Sequence, residues 1–335
     1  MSRFGACMLS SDGPRLSADE KALFRDTQPF GFIIFARHVQ SPDQLRTLCN
    51  EFREAVGREC LITVDQEGGR VQRLRAPHWR EWHPALEHAV GSGKNAARSM
   101  YLRARLIAHE LHSVGIDSNC APNLDIAGQK THPFLLNRCY GTDIGEVVDL
   151  GRAVASGLLE GGVVPIMKHI PGHGRGAQDS HKALPVVHAS KAELIETDFF
   201  PFQALKDLPM GMTAHLVFSD MDASPVTQSS TMMRVIRETI GFDGLLMTDD
   251  ISMQALSGSL GERTEASIKA GCDVVLHCND DFAARVCVAE AAGEMTEAAQ
   301  TRADAAMAWR KKPDEIDIPA VEAELEALLG GPVYV

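Results

Sequence analysis

The sequence predicts an α/β protein built as a single (β/α)8 barrel of the TIM type, with its active site at the carboxyl ends of the strands. Eight short apolar runs recur at 6–10, 31–35, 61–65, 116–120, 163–169, 211–215, 244–248 and 273–277. Most are unbroken rather than alternating, as in parallel strands buried on both faces. Segments with helix start and stop signals lie between them, so strand and helix alternate along the chain. The links after Asp65, Cys120 and His169 are also long, about twenty to thirty residues where two to six are usual. In a barrel, that lengthened side is where active sites are built. A doubly wound open sheet is the rival, but no dinucleotide glycine fingerprint follows the early strands.

The helices have readable ends. Ser41-Pro42-Asp43-Gln44 offers an N-cap, a proline at the first helical position and a capping-box glutamine, and that helix can run to Gly57. Asn95 to His112 reads as a helix stopped by Gly115, and Thr231 to Thr239 as one stopped by Gly241. Asp143 with Glu146 opens a helix that closes at Gly161-Gly162, and Ser190 with Glu193 opens another. The segment 316–329 reads as an acidic amphipathic helix packed on the barrel exterior. One catalytic domain spanning 1–335 accommodates all of this.

The chain carries a net charge of −12, spread rather than blocked, which argues against a nucleic-acid partner and for small substrates. No apolar run is long enough to span a membrane, and the first residues lack a signal peptide's apolar core, which predicts a cytoplasmic protein; a monomer is the expectation. The eight cysteines show no C-x-x-C spacing and suit reduced, buried thiols.

Chemistry concentrates in Lys168-His169-Ile170-Pro171-Gly172-His173-Gly174, followed by Asp179-Ser180-His181. Glycine and proline make this segment read as a mobile loop. Asp179 and His181 sit two apart, so on an extended loop the carboxylate reaches the imidazole as an acid/base pair. Asp65, Arg138, Lys168, His169, His215, Asp249 and Asp250 fall at or just beyond strand ends, which a closed barrel brings to one mouth. Plainer roles stand beside these: Asp125 and Asp250 as turn caps, Glu67 serving its loop's backbone, His215 as a core histidine, and Asp179 with His181 as a loop brace. The aspartates and histidines are also metal-compatible types, although no helix-spaced ligand set is present.

These segments, together with Val64-Asp65-Gln66-Glu67-Gly68-Gly69-Arg70-Val71-Gln72-Arg73 and Met247-Thr248-Asp249-Asp250-Ile251-Ser252-Met253, resemble the β-N-acetylglucosaminidases of glycoside hydrolase family 3, of the NagZ type. The resemblance runs from Gly31 to Val275. It implies retaining hydrolysis of terminal, non-reducing N-acetylglucosamine, without cofactor or metal, from N-acetylglucosaminyl-1,6-anhydro-N-acetylmuramic acid and its peptides in peptidoglycan recycling. By motif position, Asp249 resembles the nucleophile, His181 the general acid/base and Asp179 its orienting partner. Asp65, Arg73, Arg138, Lys168 and His169 resemble the sugar-binding shell, with Met212 and His215 in the same pocket. Three positions depart from the family pattern: Ile170 where phenylalanine is usual, and Cys139-Tyr140 where serine and phenylalanine are commoner.

The residue types suit that reaction. An oxocarbenium-like state is stabilised by a carboxylate beneath the anomeric carbon, which then bonds covalently. An imidazole titrating near 6.5 can give a proton to the leaving oxygen and take one from water. A phosphorylase using the same residues, a metal-dependent hydrolase and a sugar-binding protein without turnover are the alternative functions.

Overall fold

The computed structural model describes residues 3–129, 131–178, 183–279 and 281–334. Its centre is an eight-stranded parallel sheet: β1 (Gly5–Leu9), β2 (Pro29–Ile34), β3 (Leu61–Val64), β4 (Ser118–Asn119), β5 (Val164–Ile170), β6 (Met210–Thr213), β7 (Leu245–Asp250) and β8 (Val274–Leu276). In space the strands run β3-β2-β1-β8-β7-β6-β5-β4. Hydrogen bonds from Asp117 N to Ile62 O (3.1 Å) and from Cys120 N to Val64 O (2.9 Å) join the two ends, closing a single (β/α)8 barrel. All eight apolar runs overlap a strand. Nearly every strand residue is buried, which is why the runs are unbroken: side chains on one face fill the barrel and those on the other meet the helices.

The capping signals act where the sequence places them. Ser41 caps the helix Pro42–Val56 by accepting from Gln44 N, and Gly57 ends it with φ of 65°. Gln44 does not complete a capping box: its side-chain oxygen accepts from Gln40 N, one residue early, while its amide donates to Pro14 and His38 carbonyls. Asp143 caps Ile144–Glu160, and Ser190 caps Lys191–Glu196. The helix Ser230–Arg234 passes into a π-helical turn, Val235–Ile240, before Gly241. Ala96–Ser113 begins at the expected place, but the long loop after β3 holds a further helix, Ala85–Ser92, that no capping signal marked. The last helix, Ile318–Leu329, starts after its N-cap Asp317. It lies outside the barrel along Ala96–Ser113, with Leu325 buried and Glu324 paired to Arg98 at 2.7 Å.

The segment 168–174 begins inside the strand, as the run 163–169 predicts. β5 continues through Lys168 and His169 to Ile170 because the ladder persists: Lys168 N donates to Pro122 O (3.0 Å), Leu124 N to Lys168 O (2.7 Å) and Ala214 N to Ile170 O (2.9 Å). Its glycines are there for close packing. A Cβ on Gly174 would stand 2.0 Å from Ile126 O, and Gly172 holds φ of 138° against Asp198.

At the amino ends of the strands, two aspartates clamp neighbours together. Asp117 Oδ1 accepts from Ile62 N (2.7 Å), and its carbonyl accepts from Val164 N (2.9 Å). Its Oδ2 meets Arg53 (2.9 Å) and Arg310 (2.7 Å). Asp273 repeats the device before β8, accepting from Leu246 N (2.9 Å) and pairing with Arg237 and Arg302. Removing a buried carboxylate strands both an amide and two guanidinium groups. Asp117→Ala is therefore expected to cost about 3–5 kcal/mol in denaturant unfolding, and Asp117→Asn, which keeps the acceptor for Ile62, distinctly less. A loss below about 0.5 kcal/mol for the alanine variant would contradict the clamp.

Candidate active site

The strand ends open on one cavity of about 380 Å³, lined among others by Asp65, Arg73, Arg138, Lys168, His169, Met212 and Asp249. Seven of the ten site residues named from the sequence thus meet there, brought together from β3, β5, β6 and β7 and from the loops after β3 and β4.

The floor is a buried charge network. Lys168, only 1 % exposed, reaches Asp65 Oδ1 (2.8 Å) and Glu67 Oε1 (2.6 Å). Arg73 pairs with the other oxygen of Asp65 (3.0 Å), and Arg138 grips Glu67 through Nε (3.0 Å) and Nη2 (2.8 Å). Burial alone would raise the pKa of both carboxyls. Lys168 with Arg73 at Asp65, and Arg138 with Lys168 at Glu67, outweigh it: Asp65 is held well below the usual range and Glu67 at about 2. Burial would likewise lower Lys168, but the two carboxylates reverse that and keep it protonated.

A second chain orients His169. Its Nδ1 donates to Asp125 Oδ2 (2.7 Å), which leaves Nε2 to accept from Arg138 Nη2 (3.4 Å), so one neutral tautomer satisfies both contacts. Asp125 Oδ1 accepts from His173 N (2.7 Å) as well. Burial pushes the neighbouring His173 down to about 4, so it is neutral at pH 7.

Adjacent aspartates have different surroundings. Asp249 lines the cavity and is partly exposed, with Oδ1 accepting from Asp250 N (2.8 Å). Asp250 is buried and engaged on both oxygens, by Ser252 N (3.1 Å) and Cys278 N (3.2 Å) at Oδ1 and by Ser252 Oγ (2.8 Å) and Asn279 Nδ2 (3.1 Å) at Oδ2. His215 corrects the expectation that it lines the pocket. It is fully buried beneath the strand ends, Nε2 donating to Asp250 O (3.1 Å) and Nδ1 accepting from Thr227 Oγ1 (2.7 Å). With both nitrogens taken, it positions the end of β7. Asp179 and His181 lie outside the described residues.

Sequence reasoning left Glu67 to its own loop and Asp125 among turn caps, and it gave His173 no sugar-facing place. Glu67 instead anchors Arg138 and Lys168, and Asp125 orients His169. The usable signal for Asp125 was its place in the loop after the fourth strand, on the same side of the barrel as Asp65 after the third.

Glu67→Gln would leave Arg138 and Lys168 facing one carboxylate fewer, and is expected to destabilise the fold by about 3 kcal/mol at pH 7. The sign with pH follows from a pKa held down at about 2 against an ordinary 4.5. Glu67's contribution is complete above the ordinary value and is lost as pH falls through about 2. Unfolding free energies over that window should therefore converge for wild type and Glu67→Gln; a constant gap would contradict the network.

A family model for the glycosyl hydrolase family 3 N-terminal domain matches residues 5–308. The β-hexosaminidase of Methylococcus capsulatus is 36% identical over 308 residues, covering 90% of this chain and 91% of that protein. Native NagZ from Neisseria gonorrhoeae superimposes with a TM-score of 0.83 at 30% identity, covering 98% of this chain and 96% of that one. The same Neisseria protein in complex with N-trifluoroacetyl-D-glucosamine gives a TM-score of 0.80 at 29% identity, with 98% of each chain covered. The chain belongs to glycosyl hydrolase family 3 and is an enzyme of the β-N-acetylhexosaminidase class, of the NagZ type.

Proposed function

We propose that the protein is a retaining exo-β-N-acetylglucosaminidase that removes terminal, non-reducing N-acetylglucosamine through a covalent glycosyl-aspartate. Its substrates are N-acetylglucosaminyl-1,6-anhydro-N-acetylmuramic acid and its peptides, met as a monomer in the cytoplasm during peptidoglycan recycling, with no cofactor, metal, nucleic acid or membrane involved. Among the described residues, no helix is long and apolar enough to cross a membrane. The observation that carries the reading is that Asp249, at the end of β7, opens on the same cavity as the Asp65–Lys168–Glu67–Arg138 floor. The Neisseria neighbour's complex with an N-acylglucosamine supports a sugar of that kind in such a cavity.

In the first step the Asp249 carboxylate attacks the anomeric carbon while the His181 imidazolium gives its proton to the departing glycosidic oxygen. In the second, neutral His181 takes a proton from water, whose oxygen displaces Asp249 from the sugar. Asp65, Lys168, Arg73 and Arg138 bind sugar hydroxyls from an already paired array, so little reorganisation accompanies the charge change. Asp179 orients His181 and favours its protonated form. Asp250, engaged on both oxygens, is not placed to exchange roles with Asp249.

With an aryl β-N-acetylglucosaminide, Asp249→Ala is expected to lower turnover by about a thousandfold or more, and added inorganic phosphate to leave free N-acetylglucosamine as product. Turnover near that of wild type would move the nucleophile elsewhere. Asp179→Ala should reduce kcat/KM by roughly a hundredfold and shift its basic limb to lower pH, because the imidazolium loses its counter-charge. An unchanged rate and profile would refute the pairing.

A further inference from the structure

The end of β7 is held by a set of contacts separate from the floor network, and they lead back to a cation at the end of β2. Asp250 N donates to Oδ1 of Asp249 (2.8 Å), so the main chain of one aspartate steadies the carboxylate of the other. The Asp250 carboxylate is in turn held from the segment just beyond β8: Cys278 N donates to Oδ1 (3.2 Å) and Asn279 Nδ2 to Oδ2 (3.1 Å). Arg37 grips the same two residues. Its Nη2 donates to Cys278 O (2.6 Å) and its Nη1 to Asn279 Oδ1 (3.3 Å). Cys278 and Asn279 therefore each give an N–H to Asp250 and an oxygen to Arg37.

The pairing is directional. A guanidinium only donates and a carboxylate only accepts, so a single orientation of the Asn279 amide satisfies both neighbours. Ser10 Oγ accepts from Arg37 Nη2 (2.8 Å) while donating to Cys278 O (2.7 Å), which adds the residue after β1 to the same junction. Arg37 is itself presented by a built turn, Ala36–His38. His38 Nδ1 accepts from Phe35 N (2.9 Å), leaving Nε2 to donate to Ser11 O (2.8 Å), so one tautomer ties that turn to the end of β1. One guanidinium thus joins the ends of β2, β1 and β8, and through Asp250 it reaches β7. Neighbouring carboxylates repel, and here the one beside the cavity-facing Asp249 is met by donors whose oxygens rest on a cation.

We infer that Arg37 is a positioning residue for the nucleophile: through Cys278, Asn279 and Asp250 it holds Asp249 in the orientation from which the carboxylate attacks. This rests on the reading of Asp249 as the nucleophile. The sugar-binding groups at the floor belong to β3, β5 and the loops after β3 and β4, so loosening this junction leaves them in place. Bond formation at the anomeric carbon responds steeply to small displacements of the attacking atom, whereas sugar affinity does not depend on it.

The test measures kcat and KM separately with an aryl β-N-acetylglucosaminide. Arg37→Ala is expected to lower kcat about tenfold or more with KM within about twofold of wild type. Arg37→Lys should recover part of the loss, since one ammonium cannot replace a fork that meets both Cys278 and Asn279. Millimolar guanidinium should raise kcat in Arg37→Ala and leave wild type unchanged. Asn279→Leu keeps Arg37 on Ser10, Ser11 and Cys278 and removes one bond from Asp250, so it tests the junction even where Arg37→Ala does not fold; a fall in kcat of about threefold at constant KM is expected. Wild-type kcat in Arg37→Ala or in Asn279→Leu overturns the inference. A raised KM at unchanged kcat in either variant would make that residue a sugar contact and also overturn it. If Asp249→Ala turns over as wild type does, the nucleophile reading itself falls; if Asp249→Ala is inactive while Arg37→Ala is not impaired, the positioning role alone falls.

Discussion

A fully buried lysine is tolerable only where carboxylates surround it, and much of this active site is arranged to meet that condition. Asp65, Glu67 and Asp125 face Arg73, Arg138 and Lys168, three anions against three cations, with His169 between Asp125 and Arg138. Each member would be costly to bury alone. Their partners come from the end of β3, the loop after it, the loop after β4, and β5, so the network exists only when the barrel is closed. The same closure depends on Asp117 and Asp273 at the opposite ends of the strands. Fold stability and site geometry are thereby coupled.

The floor network also assigns work to the rest of the mouth. Because its cations are already engaged with carboxylates, they present a fixed polar surface more than a reservoir of positive charge. Outside the network, Arg70 lies over the Phe134 ring on a turn that its own glycines and Arg103 hold rigid. At the end of β7, Asp249 and Asp250 differ in the same manner. Both line the cavity, but Asp250 is held on both carboxylate oxygens by Ser252, Cys278 and Asn279, with His215 bonded to its carbonyl, whereas Asp249 is the more exposed of the two.

Most of the architecture was legible in the sequence. Apolar runs located all eight strands, because strands buried on both faces leave little room for polar residues. Caps such as Ser41, Asp143 and Ser190 were legible because capping is a contact over three residues. The misreadings have a common cause. The helix Ala85–Ser92 lacks a side-chain cap, and the glycines of 168–174 serve a close approach to residues 126 and 198 that their spacing alone does not announce. His215 sits at a strand end as a pocket residue would, yet its two nitrogens are consumed by Thr227 and Asp250. Glu67 and Asp125 were undervalued because their partners lie tens of residues away in sequence.

By itself the sequence determined the alternation of strand and helix, the end of the barrel that carries the chemistry, and the residue types gathered there. These are local properties, set by apolar patterning, capping and the lengths of the links between elements. Only the tertiary structure decided which carboxylate neutralises which cation, which nitrogen of His169 meets Asp125, and which of two adjacent aspartates is held on both oxygens by its neighbours. Those outcomes depend on contacts of a few ångströms between distant segments, and burial there makes each unmatched charge or nitrogen costly enough to select a single arrangement.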